Sequence, residues 1–123
     1  MDGVLTTVKQ RPKRVILVDD DEAVVEVLGI GLRKKGYRVD AFHDPADALV
    51  AFVPRSYDVA ILDVRMGPFD GLELYRRLRG LDPQLNVLFL TAYADVVKEK
   101  PRGIRFLQKP IALVDLVRAL EGL

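Results

Sequence analysis

Cysteine and tryptophan are absent from the sequence, and histidine occurs only once, as His43. The lack of cysteine excludes disulfide bonds, thiolate nucleophiles and zinc–thiolate sites. No apolar run approaches the length of a membrane span, and the N-terminus lacks the apolar stretch of a signal peptide. His43 stands beside a predicted helix start and is interpreted as a surface-loop residue, not as a ligand. We therefore predict a cytoplasmic location and no membrane partner.

Neither positive nor negative residues are in excess. The 19 basic residues stand against 18 acidic ones, which leaves a net charge of +1. Because no basic stripe is visible, we predict no direct nucleic-acid partner. A length of 123 residues, half of them hydrophobic, suits a single core. We divide the chain into an N-terminal tail at residues 1–13 and one domain at residues 14–123.

Short apolar runs alternate with helical patterns along this domain. Strands that alternate with helices imply right-handed crossovers and a parallel sheet covered on both faces. The pattern predicts an α/β fold with a doubly wound, five-stranded parallel sheet of flavodoxin type, in the strand order 2-1-3-4-5. The strands are expected within residues 14–20, 39–42, 57–63, 86–91 and 105–108, and the helices at residues 22–35, 45–52, 71–80 and after Pro110.

The segment between the fourth and fifth strands leaves little room for a helix. Pro101 interrupts it, because proline cannot continue a helix from within. Only about residues 95–100 are available, which is under two turns at about 3.6 residues per turn. The sequence therefore predicts a shortened fourth helix.

Polar side chains follow four of the five predicted strands. Asp19 and Asp20 come directly after the first strand and Asp63 ends the third, while Thr91 ends the fourth and Lys109 follows the fifth. The carboxyl ends of parallel strands meet at one edge, where doubly wound sheets bind their ligands. We therefore expect these five side chains to converge.

Three convergent carboxylates destabilise a fold unless a cation offsets their repulsion. Mg²⁺ suits one or two carboxylates together with a carbonyl oxygen and retained waters. A hydroxyl and an ammonium group in addition are what the oxygens of a phosphoryl group require. The sequence therefore predicts Mg²⁺ as the cofactor and phosphoryl chemistry at this edge.

Four motifs in order carry a resemblance to a known family. They are VDDD after strand one, LDVRMGPFDG after strand three, LTAYAD after strand four and FLQKPI after strand five. With these motifs the chain resembles the receiver domains of bacterial two-component response regulators over residues 14–121. Since it ends with the last predicted helix, we expect the single-domain type or the receiver portion of a longer protein.

The resemblance assigns a role to each strand-end residue. It implies that Asp63 is the phospho-acceptor and that Thr91 and Lys109 contact the phosphoryl group. It implies further that Mg²⁺ is held by Asp19, Asp20, Asp63 and the backbone carbonyl of Arg65. Thr91 and Phe106 match the pair of residues that switch on activation.

The chain departs from the family pattern at three places. Gly67 separates Met66 from Pro68, where the family usually has Met-Pro. Phe106 lacks the hydroxyl of the commoner tyrosine. Thr91 and Lys109 are 18 positions apart, about one helical turn fewer than is typical of the family.

The resemblance also implies partners. A histidine kinase or phosphotransfer protein would donate the phosphoryl group, and a downstream protein target would read the result. The first helix carries apolar residues beyond its core stripe, at Val24, Val27 and Ile30, and we expect it to dock on the kinase. The chain would not be an enzyme, apart from slow self-dephosphorylation at most.

Two alternatives remain open from the sequence. One is a small phosphohydrolase of the haloacid-dehalogenase type, because Asp19 and Asp21 have the spacing of its nucleophile and acid. Ala23 stands where that class usually has threonine or valine, and the chain leaves little room for a cap domain. The other is a receiver fold that serves only as a protein-binding module, without phosphorylation.

Overall fold

The computed structural model describes residues 13–123, so the predicted tail, except for Lys13, lies outside the described residues. Within this part the chain forms one main sheet, whose strands we number β1 to β5, and four α-helices. The strands are β1 (Arg14–Val18), β2 (Arg38–Phe42), β3 (Val59–Leu62), β4 (Asn86–Thr91) and β5 (Arg105–Gln108). The helices are α1 (Glu22–Lys34), α2 (Pro45–Ala51), α3 (Gly71–Leu81) and α4 (Leu113–Glu121). None of these helices is long and apolar enough to cross a membrane.

The five strands are parallel and lie in the order β2-β1-β3-β4-β5. The winding reverses between β1 and β3, which are neighbours in space although β2 lies between them in the chain. The predicted doubly wound fold and its strand order are therefore confirmed. The reversal also brings the ends of β1 and β3 together, and this is where the acidic residues lie.

The central strands are buried on both faces, so their sequences are continuous apolar runs and do not alternate. In β1, Ile16 and Val18 face one hydrophobic cluster, and Val15 and Leu17 face the other. Residues of α2 and α3 complete the first cluster, and residues of α1 and α4 complete the second. The two helical layers thus cover both faces of the sheet, and only its edges are left for a functional site.

Three helices begin at an aspartate that caps them. The side chains of Asp21, Asp44 and Asp70 accept hydrogen bonds from free backbone N–H groups at the starts of α1, α2 and α3. Asp21 therefore belongs to the start of a helix. The predicted bounds were slightly wrong elsewhere: α3 continues to Leu81, and β3 is shorter than 57–63.

The connection between β4 and β5 contains only one 3₁₀ turn, Ala94–Val96, in place of the predicted short helix. The chain then runs in irregular conformation through Pro101 to the start of β5. This outcome agrees with the predicted shortening. The helix is reduced further than predicted, to a single 3₁₀ turn.

A short hairpin follows β3 that the sequence pattern did not predict. Two strands of two residues each, Arg65–Met66 and Phe69–Asp70, pair antiparallel. Gly67 has a φ of 63°, in the left-handed region that glycine occupies without strain. The unusual Met-Gly-Pro order therefore makes a tight hairpin directly after the end of β3.

Candidate functional site

Three carboxylates meet at the carboxyl edge of the sheet. Asp19 and Asp63 are buried, whereas Asp20 is exposed. One oxygen from each side chain lies within 4.8 Å of the others. The structure therefore brings together the acidic residues that the sequence predicted to converge.

The parallel ladder places two of these residues. The backbone N–H of Asp19 donates to the carbonyl oxygen of Phe42 at 3.1 Å, and that of Asp63 donates to Val18, also at 3.1 Å. Each bond continues the ladder one residue beyond its strand, so both backbones are held in register as they leave the sheet. The Asp19 carboxylate also accepts from the backbone N–H of Asp21 at 3.0 Å, which fixes its orientation.

Lys109 reaches the cluster from the end of β5. Its Nζ lies 2.5 Å from Oδ2 of Asp19 and 2.9 Å from Oδ2 of Asp63. Burial lowers the pKa of Lys109, but the hydrogen bonds and charges of the two carboxylates outweigh it and raise the pKa above its ordinary value. Burial raises the pKa of Asp19, and Lys109 offsets only part of that shift. One ammonium group is thus shared between two buried acids.

Thr91 is fully buried at the end of β4. Its Oγ1 accepts a hydrogen bond from the backbone N–H of Tyr93 at 3.3 Å, and its carbonyl oxygen accepts from Lys109 at 2.9 Å. Gln108 ties the following turn to β5, since its amide donates to Ala92 and accepts from Ala94. The turn after Thr91 is therefore anchored although no helix follows it.

The hairpin after β3 lies against the same cluster. A Cβ added to Gly67 would lie 3.9 Å from Oδ2 of Asp20, so the hairpin backbone is close to that carboxylate. The backbone N–H of Arg65 donates to Asp63 at 3.4 Å. The Arg65 guanidinium lies over the ring of Tyr93, 4.7 Å from its centroid. Arg65 and Tyr93 thus join the two loops that flank Asp63.

Gly71 begins α3 in close contact with the end of β3. A Cβ at this position would overlap the backbone carbonyl oxygen of Asp63, and the Gly71 N–H donates to Val64 at 2.7 Å. Only glycine allows the helix to start this close to the acidic cluster. The Asp70-Gly71 pair was read from the sequence as a helix start, and its steric role emerges only from the structure.

Phe106 lies in β5 beside the core, half-buried. Its ring stacks on the buried ring of Phe89, with centroids 4.6 Å apart and planes 8° from parallel. The ammonium group of Lys100 lies over the same ring, 5.6 Å from its centroid. The aromatic ring therefore connects the core to the irregular segment before β5.

The donor set fits a hard divalent cation. Carboxylate oxygens are the ligands that Mg²⁺ prefers, and two of the three acids here are buried, where an uncompensated charge is costly. Asp19, Asp20 and Asp63 would supply the carboxylate ligands. The backbone carbonyl of Arg65 remains a predicted ligand.

Sequence reasoning missed several residues that shape this site. Gln108 acts through hydrogen bonds to Ala92 and Ala94 on another loop, and Gly71 acts by leaving space for the backbone of Asp63, and neither role has a local sequence pattern. His43 was interpreted as a surface-loop residue, and its side chain is exposed, with Nε2 3.7 Å from Oε1 of Glu22.

Comparison with known proteins agrees with this arrangement. A family model described as the response regulator receiver domain matches residues 15–121. The chain is 40% identical over 115 residues to the response regulator MprA of Mycobacterium tuberculosis, which covers 89% of this chain and 50% of MprA. It is 34% identical over 113 residues to the response regulator receiver protein CpdR of Brucella abortus, which covers 89% of this chain and 94% of CpdR.

Among solved structures, the response regulator TrrA of Thermotoga maritima, crystallised in complex with Mg(2+)-BeF, has a TM-score of 0.76 and is 26% identical. That comparison covers 89% of this chain and 97% of TrrA. The chain spans about half the length of curated relatives such as MprA and most of the length of CpdR. These matches do not support the haloacid-dehalogenase alternative. The chain belongs to the family of response regulator receiver domains, which are phospho-accepting signalling modules.

Proposed function

We propose that the chain accepts a phosphoryl group on Asp63 from the phosphohistidine of a histidine kinase or phosphotransfer protein. A downstream protein would then read the modified form. The observation that carries the proposal is the contact between Lys109 and Asp63, at 2.9 Å, inside a cluster of three carboxylates. A lysine in this position can neutralise the negative charge that a phosphoryl group adds to the acceptor.

The transfer itself is a displacement at phosphorus. A carboxylate oxygen of Asp63 attacks, so that an oxygen–phosphorus bond forms while the nitrogen–phosphorus bond of the donor histidine breaks. The electron pair of that bond leaves with the imidazole nitrogen, and the product is an aspartyl phosphate. Asp63 is suited to this because its backbone is fixed by the bond to Val18 while its side chain stands at the sheet edge.

The other side chains hold the phosphoryl oxygens. Lys109 contacts Asp19 and Asp63 in the unmodified chain and would transfer part of its bonding to a phosphoryl oxygen. The Thr91 hydroxyl, which accepts a hydrogen bond from Tyr93, still has a proton to donate to a second oxygen. A bound Mg²⁺ would neutralise charge on the acceptor and phosphoryl oxygens. Asp19 and Asp20 would orient it against Asp63.

The donor protein would dock beside Lys109. An apolar groove of about 330 Å³ lies between α1 and the start of the loop after β5, lined by Val24, Val27, Leu28, Pro110 and Ile111. Val27 and Ile30 on the same helix are exposed, at 67% and 46%. An exposed apolar surface next to Lys109 suits a helical partner that must bring its histidine to Asp63.

The expected cytoplasmic location stays a prediction.

Labelling by a small donor tests the acceptor directly. The wild type, Asp63→Asn and the control Asp70→Asn are incubated with acetyl phosphate and Mg²⁺, and intact masses are measured. Asp70 is a matched control because it is an exposed aspartate that caps α3. We expect one phosphoryl group on the wild type and on Asp70→Asn. We expect none on Asp63→Asn, and none when EDTA replaces Mg²⁺.

The outcomes separate the remaining functions. Normal labelling of Asp63→Asn would show that the acceptor is wrong. No labelling of the wild type, with the fold intact by circular dichroism, would favour the receiver fold as a binding module without phosphorylation. Turnover of p-nitrophenyl phosphate that is lost in Asp19→Asn and kept in Asp63→Asn would instead indicate phosphohydrolase activity, against the comparisons with known proteins.

A further inference from the structure

The segment before β5 carries a cluster of unpaired positive charges. Between Val97 and Arg105 stand four basic residues and a single acidic one, in a chain whose total charge is only +1. The basic residues are Lys98, Lys100, Arg102 and Arg105, and all four are exposed. Within residues 13–123 none of them forms an ion pair. Two of the three basic side chains of α3, Arg76 and Arg77, by contrast, pair with Glu73.

A groove opens beside this cluster. It has a volume of about 580 Å³ and lies between the hairpin after β3 and the turn after β4. Apolar and aromatic side chains form part of its lining, among them Phe69, Tyr93, Val96 and Val97, and Lys98 stands at its border. Tyr93 and Val96 are 44% and 61% exposed. A groove of this size can receive an apolar side chain of a partner while the cations next to it contact the partner's charges.

The cluster is also connected to the residue that we assign to the switch. Lys100 lies over the ring of Phe106, and the same ring stacks on Phe89. A carboxylate that bound Lys100 would compete with the ring for the ammonium group. A partner bound at the cluster would therefore contact the surroundings of Phe106 directly.

We propose that Lys98, Lys100, Arg102 and Arg105, together with the groove beside them, form a docking surface for an acidic protein segment that carries an apolar or aromatic anchor. The inference rests on the proposed function, because it gives a chemical identity to the downstream target. It follows from charge complementarity: four exposed cations stand in one short segment, none of them forms an ion pair within residues 13–123, and Lys98 borders a groove that contains apolar side chains.

A protein segment fits this surface better than a nucleic acid does. The cations are confined to a short segment that Glu99 interrupts, and Asp70 lines the groove next to them. A phosphate backbone needs a continuous basic track, and these two acids interrupt the track here. A peptide can place its acidic side chains on the cations and its apolar side chain in the groove.

Selection from a random peptide library displayed on phage tests the partner's chemistry. The bait is the full chain, treated with acetyl phosphate and Mg²⁺. Parallel baits are Lys98→Glu/Lys100→Glu and the control Lys34→Glu/Lys35→Glu, which changes the net charge equally at exposed lysines of α1 and its end. We expect peptides rich in aspartate and glutamate, with an aromatic or aliphatic residue, from the wild type and the control bait only. A synthetic copy of one such peptide should bind Lys98→Glu/Lys100→Glu about tenfold more weakly, and more weakly still at high salt.

Three results would overturn the inference. The first is a wild-type selection with no enrichment, or with neutral or basic peptides. The second is equal binding of the acidic peptide to Lys98→Glu/Lys100→Glu and to the wild type. The third is tighter binding of fluorescent oligothymidylate than of the peptide, lost in that variant, which would identify a nucleic-acid surface.

Labelling of Asp63 in the same samples separates this inference from the proposed function. If Asp63 is labelled and no acidic peptide is selected, the docking surface is wrong and the proposed function stands. If Asp63 is not labelled and acidic peptides still bind through Lys98 and Lys100, the docking surface stands and the proposed function is wrong.

Discussion

The guanidinium group of Arg65 lies over the ring of Tyr93, with 4.7 Å between its central carbon and the ring centroid. Arg65 is two residues beyond Asp63, and Tyr93 is two residues beyond Thr91. The cation–π contact, which contributes about 0.5–1 kcal/mol at an exposed site, therefore holds together the two loops on either side of the acceptor.

This contact leads to a prediction about the lifetime of the phosphoryl group. Hydrolysis of the aspartyl phosphate needs a water molecule in line with the oxygen–phosphorus bond, and neither Arg65 nor Tyr93 has a carboxylate that could orient one. We expect slow decay in the wild type and faster decay in Arg65→Asn and Tyr93→Ala. Intact-mass measurements after removal of acetyl phosphate give the rates, with Arg77→Asn on α3 as the control. Equal or longer lifetimes in both variants would exclude this steric protection.

The exposed apolar residues of α1 give a prediction about the donor. Val27→Glu and Ile30→Glu should slow phosphotransfer from a cognate histidine kinase, because a charge on this surface opposes burial against the kinase. Labelling by acetyl phosphate should be unchanged, since the small donor needs no docking surface. Val50→Glu is the control, because Val50 is 88% exposed on α2, a helix of the opposite layer. Slowing of both reactions would indicate a folding defect in place of a lost interface.

The missing helix between β4 and β5 predicts that phosphorylation does not produce a dimer. Many receiver domains pair through that helix, and here only the turn Ala94–Val96 remains. Amide exchange in residues 91–108 should change on phosphorylation, while sedimentation velocity should show a monomer with and without acetyl phosphate. A monomer-to-dimer shift that disappears on charge reversal at Lys98 and Lys100 would show that the reduced face still assembles.

The close contact of Gly71 with Asp63 predicts a large difference between two glycines of α3. Gly71→Ala forces a Cβ into the backbone carbonyl of Asp63 and should lower the free energy of unfolding by about 3 kcal/mol. Gly80→Ala meets no atom within 4 Å and should raise stability by about 0.5–1 kcal/mol, as alanine does in a helix. Urea titrations measure both values. Similar effects of the two substitutions would mean that the helix start has room to shift.

Much of the fold was predictable because local patterns determine it. The run of apolar residues at 15–18 marks a strand buried on both faces, and the capping aspartates mark the starts of three helices. The convergence of Asp19, Asp63 and Lys109 followed from topology, since parallel strands bring their carboxyl ends to one edge.

Other features have no local signal. Strands of two residues, such as Arg65–Met66, are too short to show periodicity, so the hairpin was missed. The stacking of Phe106 on Phe89 and the contact of Arg65 with Tyr93 join residues that are far apart in the chain. Such contacts depend on the packing of whole elements, and the sequence offers only the residue types.

Chemical trapping of the phosphorylated residue tests the central claim most directly. After acetyl phosphate and Mg²⁺, borohydride reduction converts an aspartyl phosphate to homoserine, and peptide mass spectrometry locates the change. We predict homoserine at position 63 alone, and none when EDTA replaces Mg²⁺. Homoserine at position 19 or 20, or at position 63 independently of Mg²⁺, would contradict the assignment of Asp63 as an acceptor that works through a metal-bound acidic cluster.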